Sequence, residues 1–414
     1  MSTITSLLDT DLYKLTMQAA VLQHFPAAQA TFLFKNRTPS KQLNDDAIEW
    51  LKSEIAALGE LRFTEDEIVF LQKHVGFLPA EYFEYLKTCQ LDPAAQVKVT
   101  VNTEGHLEIE VNGPWKDTIL YEIPLLALVS EAYFKFVDKD WSYDGQSELA
   151  ATKAQELIAQ GCAFSEFGTR RRRSLKTHDI VIAGILEGLK SAQGNGIFTG
   201  TSNVYLAKKY NLKPIGTVAH EWMMGVAAAT GDYSTANLRA MELWIQTVGD
   251  ANAGVALTDT FGTESFLLDF NKPLTDIYNG VRQDSGDPLE YTKLLGDHYK
   301  QLGYEPMSKV IVYSDSLDVE KCGKYKAAAA ENGLKAAFGV GTFFTNDFKR
   351  LSDGQKSTPL NIVIKIQQLN GQSCIKLSDN LSKNMGDPET VERVKRELGY
   401  VEKGDVIDES KRWN

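Results

Sequence analysis

Cysteine is scarce: Cys89, Cys162, Cys322 and Cys374 are the only thiols in 414 residues. They stand far apart and match no zinc or redox spacing, which argues against a thiolate metal site or a paired redox centre. Such usage fits buried free thiols in a reducing compartment, so a cytoplasmic setting is expected, with nuclear residence left open. Long apolar runs are also missing. No stretch of about 18 apolar residues is free of charge, so no membrane span is expected. The most apolar run, Thr118 to Val137, contains Glu122, Pro124, Glu131 and Lys135 and reads as a core helix. Asp9 and Asp11 fall where a secretory leader needs its apolar segment, and no basic residue precedes them, so no signal peptide is expected. Positive charge is in deficit, with 44 Lys and Arg against 55 Asp and Glu and a net charge of −11. That balance argues against nucleic acid or an anionic membrane as the main partner. It leaves room for a local basic site that takes a small polyanion.

What is present is an ordinary globular composition, 43% hydrophobic, 24% charged and 10% aromatic. At roughly 150 residues per domain the length suits two or three domains with ample core. No solenoid repeat, low-complexity tract or long Gly/Ser linker interrupts the chain. The rhythm changes near residue 145. Before it, Asp9 to Phe25 reads as a helix with Leu12, Leu15 and Ala19 on one face, and Ala30 to Asn36 as a strand. Thr64 with Glu67 forms a capping box. Val97 to Val101 and Leu107 to Val111 read as a hairpin through Glu104-Gly105. After it, helices and short strands alternate. Strands are expected at Phe164, Ile197, Ile215 to Val218, Val255 to Thr258, Gly280 to Arg282, Lys309 to Tyr313 and Ala336 to Val340. Such alternation implies a parallel sheet or an α/β barrel. After Leu360 a hairpin pattern returns, Asn361 to Leu369 and Ser373 to Leu377. The expected organisation is an N-terminal α/β domain over 1–145, joined by about 360–414, and a barrel over 146–359.

In barrels the reactive groups sit on the loops that follow the strands. Here those loops read Thr258-Asp259-Thr260-Phe261-Gly262, Arg282-Gln283-Asp284-Ser285-Gly286-Asp287, Tyr313-Ser314-Asp315-Ser316 and Gly339-Val340-Gly341-Thr342. Carboxylates beside hydroxyls suit ribose hydroxyls or a Mg²⁺ ion that bridges phosphate oxygens. Gly339, Gly341 and Thr342 let backbone N–H groups approach a phosphate. Any one such loop is as readily a strand end and helix cap. Strand ends of this kind in succession point to a phosphorylated sugar.

Arg170 to Arg173 is an arginine run after Phe167-Gly168-Thr169. If it is helical, Arg170 and Arg173 share a face while Arg171 and Arg172 diverge. A guanidinium fork suits a carboxylate or phosphate, although salt bridges to the acidic excess would use it equally well. Of six histidines, His220 stands out, because it follows Gly216-Thr217-Val218-Ala219 at what reads as a strand end on the reactive rim. A histidine there serves as base, ligand or nucleophile. No His or Cys partner lies at metal-ligand spacing. Tyr13 and Phe167 offer aromatic faces for a planar ring, or for the core.

Taken in order, Asp9-Thr10-Asp11-Leu12-Tyr13-Lys14, Phe167-Gly168-Thr169-Arg170-Arg171-Arg172, Gly200-Thr201-Ser202-Asn203, Gly216-Thr217-Val218-Ala219-His220-Glu221, Arg282-Gln283-Asp284-Ser285-Gly286-Asp287 and Gly339-Val340-Gly341-Thr342 resemble the nicotinate phosphoribosyltransferase family over nearly the whole chain. The run from Trp115 to Pro124 is most similar to the fungal branch. The resemblance implies an irregular α/β barrel of the type II phosphoribosyltransferase kind, with a second α/β domain built from N-terminal and C-terminal segments. It implies phosphoribosyl transfer from 5-phosphoribosyl 1-diphosphate to nicotinate, with Mg²⁺, and with ATP hydrolysis coupled through a phosphohistidine at the position of His220. By the same resemblance Tyr13 and Phe167 flank the pyridine ring. Thr217, Arg282 and Arg170 lie near nicotinate and its carboxylate. Asp259, Asp284, Ser285, Gly286 and Asp315 belong to the ribose and metal region, and Gly339, Gly341 and Thr342 to the 5′-phosphate. Ser202 stands where the related nicotinamide enzymes place an aspartate, which favours nicotinate because a serine can donate to a carboxylate. Quinolinate phosphoribosyltransferase and a non-enzymatic phosphosugar sensor are the remaining alternatives. The latter has no use for a reactive His220. Oligomeric state is not readable from the residues; the family makes a homodimer an expectation.

Overall fold

The computed structural model describes residues 2–379 and 384–400. The expected C-terminal stretch 360–414 is therefore seen only in part, with 380–383 and 401–414 outside the described residues. The first third supplies β1 (Gln29–Asn36), β2 (Val97–Val101) and β3 (Leu107–Pro114). The barrel region supplies β4 (Ala163–Glu166), β5 (Ile197–Thr201), β6 (Val255–Leu257), β7 (Gly280–Gln283), β8 (Val310–Tyr313) and β9 (Lys335–Val340). A small ribbon, β10 (Phe348–Lys349) with β11 (Lys356–Ser357), precedes β12 (Ile362–Leu369) and β13 (Gln372–Ser373).

Two sheets organise the molecule. One is five-stranded and antiparallel in the order β13-β12-β1-β3-β2, with β12 running from Ala30↔Leu369 to Asn36↔Ile362 along β1. The other is six-stranded and parallel in the order β5-β4-β9-β8-β7-β6. The alternation of helices and strands after residue 145 thus becomes a curved parallel sheet with its loops on one rim.

The sheet is irregular at one place, and the sequence misjudges it. Residues Ile215 to Val218 form no strand; past β5 only a single parallel bridge, Thr201↔Pro214, continues the pairing. Ile215 N–H still donates to the Thr201 carbonyl at 2.9 Å, but beyond it backbone groups turn to side chains. Arg282 Nη1 donates to the Val218 carbonyl at 3.4 Å, and the Ala219 N–H points at Met17 Sδ at 3.4 Å. The segment is drawn against the start of helix Leu12–His24, where a Cβ on Gly216 would sit 3.0 Å from the Tyr13 nitrogen. His220 accordingly opens helix His220–Thr230 instead of ending a strand.

Other local readings sharpen. The capping box is real, with the Glu67 carboxylate accepting from Thr64 N–H at 2.9 Å. The apolar run at 118–137 is broken into a short helix, Trp115–Thr118, and a long one, Glu122–Phe136. Pro124 falls in the first turn of the latter, where its missing N–H costs no intrahelical bond. Of the expected strand Ser373 to Leu377 only Ser373, with Gln372 before it, joins the ladder with β12, and Cys374 N–H adds one bond to the Gln367 carbonyl at 2.8 Å. Helix His220–Thr230 rests on Trp115, and a Cβ on Gly225 would lie 2.3 Å from that ring, so only glycine permits the approach. Among the described residues no helix is long and apolar enough to cross a membrane.

Candidate active site

The loops after β4, β5, β7, β8 and β9 meet around a cavity of about 490 Å³. Its wall includes Tyr13, Phe167, Arg170, Ser202, Thr217, His220, Arg282, Asp284, Asp315, Gly339, Gly341 and Thr342, so most of the residues singled out in the sequence converge. Asp259, Ser285 and Gly286 do not reach the wall. Asp259 and Ser285 stand behind His220 as its support. Gly286 holds a left-handed turn, φ +75°, in the same loop.

His220 is bound at Nε2. Asp259 Oδ1 lies 2.7 Å away, Lys376 Nζ 2.9 Å and Asp284 Oδ2 3.8 Å. Ser285 Oγ donates to Asp259 Oδ2 at 2.5 Å. Burial, with Lys376 beside it, holds His220 below its ordinary range despite Asp259, so the imidazole is neutral near pH 7. Against the cost of burial, His220, Lys376 and Ser285 hold Asp259 well below the carboxylate range. A neutral imidazole whose Nε2–H is held by a carboxylate carries a free lone pair on Nδ1, which is what a nucleophile needs.

Across Asp284 from His220, Arg282 is fixed by three side chains besides the Val218 carbonyl. Its Nε donates to Ser314 Oγ at 2.8 Å, Nη1 to Thr217 Oγ1 at 2.9 Å, and Nη2 to Asp284 Oδ1 at 2.9 Å. A guanidinium held this way presents a preoriented charge to an anion. Gly339 and Gly341 serve Phe167 as much as any phosphate. A Cβ on Gly339 would lie 2.5 Å from the Phe167 ring, and one on Gly341 2.9 Å from its carbonyl. The aromatic face and the glycine loop are thus one construction.

The arginine run behaves differently from the helical expectation. Thr169–Arg171 is a single 3₁₀ turn and Arg172 is extended, so the helical i, i+3 geometry does not apply. Arg170 and Arg171 face the cavity. Arg170 Nη1 is 3.5 Å from Glu122 Oε1. Arg172 is buried and grips Asp9 with two bonds of 2.7 and 2.6 Å. Arg173, also buried, lies over the rings of Phe134 at 3.7 Å and Phe348 at 4.1 Å and donates to Ser357 Oγ. Its role is to hold the β10–β11 ribbon, not to bind substrate.

Ser202 is a further correction. Its hydroxyl proton goes to Asp11 Oδ1 at 2.7 Å, so it is not free to donate to a ligand. Asp11, which also accepts from Thr169 Oγ1 at 2.6 Å, itself lines the cavity.

Several residues of the site lay in the sequence motifs without a role, and one, Lys376, lay in none. Lys14 is fully buried between Glu122 at 2.5 Å and Glu221, and Trp115 Nε1 donates to Glu221 at 2.7 Å. Lys376 stands between Ile375 and Leu377 and reads in sequence as an ordinary strand residue. Only tertiary structure brings it to His220.

For a hard cation the fit is with oxygen donors. His220, Asp259 and Asp284 offer ligand atoms within 4.8 Å of one another, but Asp259 is already engaged by His220, Ser285 and Lys376. Asp284, though bonded to Arg282 and Ser314, and Asp315 are the carboxylates on the wall and would hold Mg²⁺, which prefers a few carboxylates plus substrate oxygens.

An irregular parallel α/β barrel with its site at the strand C-termini, joined to an antiparallel sheet, defines a type II phosphoribosyltransferase fold. The profile of the nicotinate phosphoribosyltransferase (NAPRTase) family matches residues 162–402, and that of its N-terminal domain residues 8–130. The chain belongs to this family. It is 54% identical to the nicotinate phosphoribosyltransferase of Saccharomyces cerevisiae over 99% of both chains. It is 43% identical to that of Methanosarcina acetivorans, over 93% of this chain and 95% of the other. A crystal structure from Saccharomyces cerevisiae superposes with a TM-score of 0.95 at 53% identity, covering 97% of this chain and 99% of the other. The Porphyromonas gingivalis nicotinate phosphoribosyltransferase does so with a TM-score of 0.88 at 35% identity, covering 96% and 100%. The fungal resemblance read from the motifs is borne out.

Proposed function

We propose that the protein transfers phosphoribose from 5-phosphoribosyl 1-diphosphate to nicotinate, giving nicotinate mononucleotide and diphosphate, and couples this to ATP cleavage through His220. The product places the reaction in NAD salvage. The observation that carries the coupling is a carboxylate-backed histidine on the wall shared with Tyr13, Phe167 and Arg282.

In the transfer, the pyridine nitrogen lone pair forms a bond to C1′ as the C1′–O bond to diphosphate breaks. Tyr13 and Phe167 sandwich the ring, and Arg170 and Arg282 pair with its carboxylate. Gly339, Gly341 and Thr342 hold the 5′-phosphate through backbone N–H groups. Asp284 and Asp315 would hold Mg²⁺, which when bound would supply positive charge against the departing diphosphate. In the coupling step His220 Nδ1 attacks the γ-phosphorus of ATP, the bond to the β–γ bridging oxygen breaks and ADP leaves. Nε2 keeps its proton on Asp259. Water later cleaves the P–N bond, releasing phosphate and restoring neutral His220. The added charge on His220 reshapes the loops that hold the sugar diphosphate.

The test is nicotinate mononucleotide formation with Mg²⁺, with and without ATP. ATP should accelerate product formation and be cleaved with it. His220→Ala should abolish that response; a variant whose rate still rises with ATP removes His220 from the role. No product from folded protein, with nicotinamide or quinolinate turned over instead, replaces the substrate.

A further inference from the structure

Lys14 is a charged group that the reaction above leaves without a part, although it follows Tyr13 directly in the chain. Its side chain is fully buried, and its ammonium is shared by two carboxylates, Glu122 Oε2 at 2.5 Å and Glu221 Oε2. Lys14, Glu122 and Glu221 each stand in the first turn of a helix, Leu12–His24, Glu122–Phe136 and His220–Thr230 respectively. The helix dipoles favour the two carboxylates there and oppose the ammonium, so the lysine is held by its ion pairs and not by its own helix. The other oxygens of the two carboxylates have different neighbours. Glu221 Oε1 accepts from the buried Trp115 Nε1 at 2.7 Å. Glu122 Oε1 has Arg170 Nη1 at 3.5 Å, longer than a charge-assisted hydrogen bond.

Arg170 is therefore contested. Its side chain is 40% exposed on the cavity wall, while that of Glu122 is only 12% exposed. A carboxylate so far withdrawn from water needs a cation. Lys14 supplies it from the core side, and the guanidinium keeps its donors for the cavity. With Lys14 gone, Glu122 would have Arg170 as its cation. The pair would close into a fork-to-carboxylate contact and take those donors out of the cavity.

We propose that Lys14 is a positioning residue: by neutralising Glu122 from the core it leaves the Arg170 guanidinium available to the carboxylate of the ring substrate. The inference rests on the reading of Arg170 as a partner of nicotinate. It adds that recognition of an acidic ring depends on a buried lysine that acts through Glu122.

The test uses the full-length protein as wild type, Lys14→Met, Glu122→Gln and the double variant. Lys14→Met should raise KM for nicotinate about tenfold, the scale of one lost charge-assisted hydrogen bond, and leave KM for 5-phosphoribosyl 1-diphosphate unchanged. Adding Glu122→Gln removes the competing charge, and the new amide can donate to Glu221, so the double variant should recover KM for nicotinate. A lysine that only supports the fold would leave the double variant as poor as the single one. A crystal structure of Lys14→Met should show Arg170 drawn onto Glu122 within hydrogen-bond distance. An unchanged KM for nicotinate in Lys14→Met, or no recovery in the double variant, overturns the proposal. Should Lys14→Met not fold, Glu122→Gln alone decides. A KM for nicotinate at or below that of wild type supports the proposal. A rise makes Glu122 the residue that aims Arg170 and overturns it. If the wild type does not use nicotinate, the substrate reading fails, while the crystal structure still decides what Lys14 does to Arg170.

Discussion

Arg282 shows how much one side chain can organise. Its guanidinium touches the segment after β5, the loop after β7 and the loop after β8 through Thr217, Asp284 and Ser314. Arg282→Ala removes the anion partner and leaves those acceptors unpaired. It should lower kcat/KM for nicotinate by about 1–3 kcal/mol or more, read in steady-state kinetics. Unchanged kinetics would make the arginine purely structural. Ser202 is the companion case. Ser202→Asp puts a second carboxylate against Asp11, which already sits 2.7 Å from the serine hydroxyl. The ratio of kcat/KM for nicotinate over nicotinamide should fall about tenfold, near 1.4 kcal/mol, since an anionic ring substituent is then repelled. A constant ratio would remove this position from substrate choice.

Among the elements, the 3₁₀ turn Thr169–Arg171 decides what an arginine run can do. Because the turn ends and the chain is extended at Arg172, the first two guanidinia go to the cavity and the last two to the core. The buried Arg172–Asp9 pair ties this turn to the chain just before helix Leu12–His24, which carries Tyr13. Asp9→Ala strands a buried guanidinium and should cost about 3–5 kcal/mol in denaturant unfolding. A loss below about 1 kcal/mol would mean water or another acceptor replaces Asp9. The irregular segment 214–219 follows the same logic. A regular strand there would spend its carbonyls on a neighbour and leave Arg282 and helix His220–Thr230 unplaced.

For the whole molecule, the acid–base balance around His220 reaches into stability. Asp379 is pushed up to about 6 by burial and by nearby Asp259. It accepts from Thr263 N–H at 2.8 Å and Thr263 Oγ1 at 2.5 Å. A carboxyl whose pKa is raised on folding favours the folded state below its unfolded pKa, and loses that contribution as pH rises through the folded value. The melting temperature of Asp379→Asn should therefore gain on wild type between about pH 5 and pH 8, because the amide never acquires the repelled charge. A difference that is flat with pH, in paired thermal melts, would place the charge elsewhere.

The sequence by itself determined the element types, the alternation that becomes a parallel sheet, and the motifs of the rim, because these depend on local periodicity and on residue types that loops require. Tyr13, Phe167, Arg170, Thr217, Arg282, Asp284, Asp315 and the Gly339 loop were legible because each lies in a motif beside a strand or helix end. The tertiary structure alone decided three things. It set the backbone between Ile215 and Ala219, where pairing with β5 ends and Val218 and Ala219 take side-chain partners. It set the division of labour within Arg170 to Arg173, since a turn and a helix with the same residues point them differently. And it brought Lys14, Glu221, Asp259 and Lys376 together around the histidine and its helix, because charges far apart in the chain are paired only when folding removes water from between them.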